Sequence, residues 1–498
     1  MAILSTIKNK IRNFLFSDIG GVSQIIFNQR MDYYAFCAMF RIWYRGDSME
    51  LSDLYRQLNV APTTFWKAIS SDGMEIRKIH TGLPKLIVKT LTNIVINDYN
   101  GVEFGDKSAS QTSADVWCKI EKDNDIQKLL EKCIKNILIT GDGAFKISFD
   151  KSPSDLPIIE FVKSENVDFV YNRGRISEVV FVTEYTHNSK KYELKERYGY
   201  GYIRYELTLD GKPVPNNSIP QLQWIDCEGV EFDKSVILAV PVIYGENEKE
   251  DGRGESIFDG KLDNFDALDE VVSQWMDALR ANRTKEYIPE NIIPRDPETG
   301  RLLKPNAFDN RFIAVGQDMV SEKSDNKIVV AQSNIPHDSY LATYITVLDL
   351  CLQGIISPST LGIDTKKLDN SEAQREKEKT TLYTRGNIVE VINAVLPKLV
   401  VSAVCANQIW NNQTIDKPEK VTVKFGDYAN PSFESQVETV GKAKTQGIMS
   451  TEAGVDELYG DTKDQAWKNE EVKRIKEEQG IIIEPEPSVS DDSVIVGF

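Results

Sequence analysis

The sequence predicts an α+β protein in which helical segments lie on either side of a long antiparallel β region. Apolar residues recur at helical spacing in several segments before residue 140. Between Ile158 and Val242, short runs alternate apolar with charged side chains, as half-buried strands do. Helical spacing returns from Phe258 onward. A chain of 498 residues is too long for one compact core, so we expect about three domains.

Composition and charge restrict the function classes. The chain is 41% hydrophobic and 27% charged, which is typical of a folded soluble protein. Its net charge of −17 argues against a protein that grips nucleic acid over its whole surface, although DNA could still pass near it. The six cysteines are scattered without a CxxC pair. They therefore indicate a reducing compartment rather than a zinc site or a disulfide framework.

Neither apolar candidate for membrane association fits a membrane segment. Met1 to Phe16 has basic residues between its apolar ones and lacks the continuous apolar stretch of a signal peptide. We expect a packed helix with a solvated basic face there, in preference to a membrane-surface helix. The apolar run Ile388 to Val404 is interrupted by Glu390, Asn393 and Lys398, so we expect a soluble protein with no bilayer span.

The first 150 residues are predicted to be mainly helical and to end in a strand. Ser52 is a candidate N-cap for one short helix, and Leu83 to Val95 places its apolar residues on one helical face. Asp125 to Ile139 forms another helix. Gly141-Asp142-Gly143 then turns the chain into the strand Ala144 to Phe149.

The β region predicts an antiparallel meander over about 158–242 with one solvated face. Short turns separate its runs, and Asp210-Gly211 is the clearest turn. The runs with the clearest strand character are Glu178 to Thr183, Lys191 to Arg197 and Tyr202 to Leu209. No catalytic pattern lies in this region, and we interpret it as scaffold.

The helix predicted after Phe258 has an apolar seam and an acidic face. The seam follows a 3-4-3-4 pattern: Phe265, Leu268, Val272, Trp275 and Leu279. Four carboxylates gather on nearly the opposite face: Asp263, Asp266, Glu270 and Asp277. For an isolated helix, the simplest interpretation is a solvated acidic surface. The proline-containing stretch Tyr287 to Ile335 then predicts a small β-rich insertion.

Asp338 to Trp410 reads as a helix, a break and a long interrupted helix. The first helix carries an apolar stripe at 4-3-4 spacing: Leu341, Ile345, Leu348 and Leu352. The break, 354–370, contains proline, glycine and the pair Lys366 and Lys367, which suits an exposed loop. Ser371 to Gln374 matches a capping box, and Gly386 and Pro397 are predicted kinks in the long helix.

The C-terminal part predicts one strand followed by helices and an acidic tail. The strand is Val421 to Phe425. Three helices follow, at Phe433 to Thr445, Thr451 to Tyr459 and Asp464 to Glu478. The last eighteen residues, 481–498, are acidic and contain proline, so we expect them to be disordered.

The common catalytic and cofactor motifs are absent from the sequence. Gly101 to Ser108 has three residues between its glycines where a phosphate-binding loop needs four, and Asp106 would repel phosphate. Asp251 to Gly254 lacks the preceding strand of a dinucleotide turn and is interpreted as a turn. The three histidines are far apart, with no HExxH motif, and no GxSxG motif occurs. We therefore expect no catalytic residues, no metal, no cofactor and no enzyme.

The order of parts resembles the portal (head-to-tail connector) proteins of tailed bacteriophages over nearly the whole chain. Four local segments carry the resemblance together with that order: Gly141 to Lys146, Ser357 to Gly362, Ser371 to Lys377, and Gly447 to Glu452. None of them is diagnostic alone.

The resemblance implies a portal-type fold with an α/β wing, a two-helix stem, a small β-rich clip, a long kinked helix and a helical crown. The implied segments are the wing 1–257, stem helices 258–285 and 338–355, the clip 286–337, the tunnel loop 356–370, the long wing helix plus strand 371–425, the crown 426–480 and the tail 481–498.

The resemblance also implies a ring, typically a homododecamer, at one capsid vertex of the virion, assembled in the host cytoplasm. Double-stranded DNA would pass through its channel without sequence specificity during packaging and ejection. The implied protein partners are the terminase large subunit, a head-tail adaptor, and the major capsid and scaffold proteins.

Site residues follow from that implied architecture. Lys366 and Lys367 of the tunnel loop would face DNA, and the acidic face of the first stem helix would line the channel as a repulsive wall. Residues of the clip that could meet the motor or adaptor are Arg295, Arg301 and Lys304. Two alternatives stay open: another phage structural protein, such as a minor capsid or scaffold-type component, and an enzyme that processes DNA or protein.

Overall fold

The computed structural model describes most of the chain, in two compact units, Met1–Gly426 and Asp427–Phe498. The described residues are 33–58, 60–69, 76–105, 108–150, 153–222, 225, 229–282, 285–289, 295–300, 312–315, 329–331, 336–363, 371–418, 420–426, 433–459 and 464–478. The predicted N-terminal helix and the acidic tail lie outside these residues.

The first unit contains both helices and strands. Its helices are α1 Tyr33–Arg45, α2 Ser48–Gln57, α3 Leu83–Asn97, α4 Ser108–Asn124, α5 Ile126–Thr140, α6 Leu262–Ala281, α7 His337–Leu352 and α8 Ser371–Trp410. The predicted cap at Ser52 is wrong. Asp47 caps α2 instead, because its Oδ1 accepts hydrogen bonds from the backbone N–H groups of Met49 (2.8 Å) and Glu50 (3.1 Å).

The strands form four sheets among the described residues. The strands are β1 Tyr99–Phe104, β2 Asp142–Ser148, β3 Ile158–Lys163, β4 Val167–Asn172, β5 Arg175–His187, β6 Lys190–Gly199, β7 Tyr202–Leu209, β8 Lys212–Val214, β9 Gly229–Glu231, β10 Ala239–Ile243, β11 Lys285–Pro289, β12 Phe312–Val315, β13 Val329–Ala331 and β14 Val421–Phe425. Strands β1 and β14 pair antiparallel, as do the three strands of the sheet β10-β2-β3.

The meander predicted over about 158–242 is narrower in the structure: it is the sheet β4-β5-β6-β7-β8, with β9 pairing on β7. The strands at the two ends of the predicted range, β3 and β10, pair instead with β2 in the separate sheet β10-β2-β3. All pairings of the meander are antiparallel, and short turns with positive φ at Asp210 and Gly211 join β7 to β8. In the predicted insertion, β11 pairs parallel with β12 and antiparallel with β13.

One large core joins the helices of the first unit to the sheet β10-β2-β3. Trp43 of α1, Ile87 of α3 and Phe145 of β2 are all buried in it. A smaller cluster packs Leu194 and Leu207 of the meander against neighbouring apolar side chains.

Helix α8 is continuous through Gly386 and Pro397, so the proline is accommodated inside the helix. Its segment Glu378–Trp410 is long and apolar enough to cross a membrane by length and composition alone. In the structure, 56% of the most apolar window is buried, with Ile388, Leu396 and Leu399 fully enclosed. The apolar character of α8 is therefore accounted for by its position in the core.

The second unit contains α9 Phe433–Thr445, α10 Thr451–Tyr459 and α11 Gln465–Glu478. These are the three helices predicted from the sequence, with α11 beginning one residue later. Helices α10 and α11 are joined by a hydrogen-bonded ion pair of 2.8 Å between Lys468 Nζ and Asp456 Oδ1. The rings of Tyr459 and Trp467 pack edge to face at 5.1 Å between centroids.

Candidate functional site: an anchored helical pair and the loop base beside it

Helices α6 and α7 pair antiparallel, with polar contacts at one end and aromatic contacts at the other. Lys261 Nζ donates to the backbone oxygens of Leu350 (3.1 Å) and Gln353 (2.8 Å), at the end of α7. At the opposite end, the Trp275 ring stacks on Tyr340 with centroids 6.0 Å apart and planes 8° from parallel. The pair is therefore held along its length.

Only one half of this pair is buried. Phe265 and Leu268 of α6, and Leu348 and Leu352 of α7, are enclosed in the core. The apolar seam predicted for α6 therefore packs at its N-terminal half, whereas Leu279 is 47% exposed. Five apolar side chains form what we call the exposed apolar set: Met276, Leu279, Leu341, Ile345 and Leu350. They leave the pair with apolar surface that its own unit does not cover.

Helix α6 is anchored by a fully buried carboxylate, Asp269. Its Oδ1 accepts from the backbone N–H (2.8 Å) and the hydroxyl (2.9 Å) of Thr81, and its Oδ2 accepts from Trp66 Nε1 (3.2 Å). His80 Nδ1 lies 2.7 Å from Oδ2. One turn later, Ser273 Oγ accepts from the backbone N–H of Ile79 at 2.9 Å. The chain around Trp66 and from Ile79 to Thr81 is thus tied to α6 by polar contacts to Asp269 and Ser273.

The prediction of a solvated acidic face on α6 is wrong for Asp266. This side chain is 7% exposed, and it accepts hydrogen bonds from the backbone N–H groups of Phe65 (3.1 Å) and Trp66 (3.2 Å). The reason is that Phe65 and Trp66 lie against this side of α6, where Asp266 accepts hydrogen bonds from their backbone N–H groups. The other three carboxylates retain contact with solvent: Asp263 is exposed, and Glu270 and Asp277 are half-buried.

Burial also changes the acidity of Asp266. Desolvation, aided by the charges of Glu270 and Asp269, raises the pKa of its carboxyl to about 6. The two backbone N–H groups act in the opposite direction, because they stabilise the ionised form. Loss of water is the larger effect.

The base of the predicted loop is also more buried than the sequence indicates. Gly354 is exposed as expected, but Ile355, Ile356 and Ser357, which the sequence assigned to an exposed loop, are enclosed. A 3₁₀ turn, Pro358–Leu361, follows, and Gly362 closes it with φ +70°, a conformation that glycine adopts without strain.

Two glycine motifs that lie far apart in the sequence, Gly141 to Gly143 and Asp251 to Gly254, are in contact in the first unit. A Cβ on Gly141 would lie 2.2 Å from the backbone oxygen of Gly254, so neither position tolerates a side chain. Beside them, buried Asp142 accepts from Arg253 Nη2 at 3.2 Å and from the Gly254 N–H at 3.0 Å. Asp251 to Gly254 is therefore a core contact as well as a turn. In the sequence, only the opposite charges of Arg253 and Asp142 could have indicated this contact, and the two residues are 111 positions apart.

The remaining predicted site residues are not brought together by the described structure. Arg295 is exposed, and it lies between β11 and β12 in the sequence. Arg301, Lys304, Lys366 and Lys367 lie outside the described residues. Within the described ranges, no group of three or more His, Cys, Asp or Glu side chains could hold a metal ion.

The comparisons with known proteins now identify the class. Residues 49–349, more than half of the chain, match a family of phage portal proteins. That family is described as phage portal protein, SPP1 Gp6-like, and this chain belongs to it. The match covers α2 to most of α7 and confirms the resemblance found in the sequence. A search of curated proteins finds no match.

Solved structures give distant similarities. The "Virion of native gene transfer agent (GTA) particle" is 11% identical, covers 93% of this chain and 99% of its own, and has a TM-score of 0.38. The "Neck of empty GTA particle computed with C6 symmetry" is 13% identical and has a TM-score of 0.39; the match covers 78% of this chain and 96% of the neck chain. The "Neck of native GTA particle computed with C12 symmetry" is 13% identical and has a TM-score of 0.35; the match covers 76% of this chain and 91% of the neck chain. These TM-scores are too low to support an inference.

The raised pKa of Asp266 predicts a specific pH dependence of stability. Its ordinary value is 3.8 and its folded value is about 6, so the folded protein binds this proton more tightly than the unfolded chain does. This tighter proton binding adds up to about 3 kcal/mol to the free energy of unfolding. The added stability is fully present below about pH 4 and is lost as pH rises through 6. Urea unfolding of the wild type and Asp266→Asn between pH 4 and 7 measures it.

We expect the difference in unfolding free energy between these two proteins to change across that range, because only the wild type titrates at this position. Asp263→Asn on the exposed part of α6 is the matched control and should track the wild type. Parallel pH profiles for the wild type and Asp266→Asn would contradict the prediction.

Proposed function

We propose that this portal family member assembles into a ring at one capsid vertex and that double-stranded DNA passes through the central channel during packaging and ejection. Family membership supports the proposal, because portal proteins are structural components rather than enzymes. In this proposal α6 and α7 form the stem, and β11 to β13 belong to the clip. Residues 1–257 with α8 form the wing, and α9 to α11 form the crown.

The exposed apolar set on α6 and α7 is the observation that carries the ring proposal. Two helices that pack on each other but leave apolar side chains in water gain stability when a second copy covers them. Contacts between two different faces of identical copies generate a closed ring when the rotation between copies closes. Side-by-side packing of the helical pairs would bury Leu279, Leu341 and Ile345 in this way.

The negative net charge is more typical of a channel through which DNA slides than of a surface that binds DNA tightly. Twelve copies, the number typical of the resemblance, would carry −204 at −17 each. DNA whose phosphates meet few Lys or Arg side chains releases few counterions, so it is held weakly and can slide. Of the acidic residues on α6, Asp263, Glu270 and Asp277 remain candidates for the channel wall. Asp266 is withdrawn from that role because it is buried.

The partners of the ring are proposed on the same basis. The clip, with Arg295 exposed in its described part, is the candidate surface for the terminase large subunit and for the head-tail adaptor. Arg301 and Lys304 belong to the same sequence segment. Major capsid and scaffold proteins would surround the wing in the assembled virion.

Charged substitutions in the exposed apolar set should prevent assembly. In Leu341→Glu combined with Ile345→Glu, a carboxylate replaces each of two apolar side chains that are about 40% exposed, so the subunit should still fold. Burial of those charges between copies is unfavourable, and we expect sedimentation to show monomers in place of rings. Val230→Glu, on the exposed strand β9, is the matched control and should assemble. Rings of the double variant would rule out this contact as the interface.

The tunnel-loop lysines are proposed to contact phosphates of the passing DNA. Lys366→Ala with Lys367→Ala should form rings normally, because neither change removes apolar surface. The amount of DNA packaged, or retained after packaging, should fall, since two cations near the polyanion are lost. Normal rings with unchanged packaging and retention would contradict the role of the lysines while leaving the ring proposal intact.

A further inference from the structure

We propose that Thr381 and Thr384 of α8 are positioning residues that fasten the first turn of the loop after Ile356 to the long helix, so that the loop base and the helix move as one body. What the loop does in a ring rests on the proposed function. The fastening itself rests on contacts within one subunit.

Two hydroxyl groups on one helical face make the connection. Thr381 is fully buried, and its Oγ1 accepts a hydrogen bond of 2.9 Å from the backbone N–H of Ser357. The same oxygen lies 2.8 Å from Thr360 Oγ1. One turn further along α8, Thr384 Oγ1 donates to the backbone oxygen of Ile355 at 2.6 Å. Residues three apart on a helix share a face, so both hydroxyls reach the same short segment.

The hydroxyls add a specificity that the neighbouring apolar contacts lack. Ile355 and Ile356 are buried in the core, but apolar burial has no directional preference and would tolerate a shift of the chain. A hydrogen bond to one particular amide does not tolerate it. The Ser357 N–H is buried, and it would have lost its partner if Thr381 carried no hydroxyl. These bonds therefore set the register of the loop base on α8.

The fastened segment has a defined end. Within the 3₁₀ turn, Gly362 N–H donates to Ser359 O at 3.0 Å, and Ile363 N–H donates to Pro358 O at 3.2 Å. The chain from Ile355 to Ile363 is thus closed on itself and bound to α8. A displacement of α8 near Thr381 therefore carries the segment from Ile355 to Ile363 with it.

Removal of both hydroxyls with little change in shape tests the inference. In Thr381→Val with Thr384→Val, we expect hydrogen exchange of the Ser357 amide to accelerate about tenfold or more. Trypsin cleavage after Lys366 and Lys367 should accelerate similarly, as measured by mass spectrometry against cleavage elsewhere in the chain. The double variant should fold, because valine fills nearly the same volume as threonine.

Two controls isolate the hydroxyl contacts. Thr380→Val, one residue before the pair, should exchange and cleave as the wild type does. Thr381→Ser, which keeps a hydroxyl at this position, should retain the slow exchange of the Ser357 amide. Wild-type rates at both sites in the double variant would overturn the inference. Because both readouts apply to a single subunit, failure of the chain to form rings would refute the proposed function without affecting this result.

Discussion

The burial of two carboxylates on one face of α6 is the constraint on which the rest of the candidate site depends. Asp266 and Asp269 receive hydrogen bonds from Phe65 and Trp66, some 200 positions earlier in the chain. Burial of a carboxylate without such partners would cost several kcal/mol. The chain at Phe65 and Trp66 must therefore meet α6 in this register for Asp266 and Asp269 to be buried. The N-terminal half of α6 is therefore fixed, and its C-terminal half is left exposed.

The anchored helix orders the elements that follow it. Lys261, just before α6, binds the last carbonyls of α7, and α7 leads directly into the buried loop base. The threonine hydroxyls of α8 then hold that base. Arg385, one residue after Thr384, donates to Asp98 at 2.7 Å and to the Gly426 carbonyl at 2.6 Å. Polar contacts thus connect the helical pair, the loop base and the long helix to one scaffold.

Periodicity predicted the elements well, because helices that pack on a core repeat apolar residues over many turns. Helices α6, α7 and α8 begin and end within a few residues of their predicted positions. The order of these elements also led to the portal resemblance, which the family match over 49–349 confirms.

Long-range polar contacts could not be predicted in the same way. On a helical projection Asp266 looks like any other member of an acidic face, and its contacts with Phe65 and Trp66 distinguish it. The contact of Gly141 with Gly254 joins motifs more than a hundred residues apart. Thr381 and Thr384 follow a charged stretch and show no pattern of their own. Each of these roles depends on a partner that the local sequence does not contain.

Electron microscopy of the purified full-length chain tests the central claim most directly. Closed rings with a central hole, wide enough for duplex DNA, are the result that the exposed apolar set and the family membership predict. Particles that remain monomeric across protein concentrations and salt conditions would contradict it.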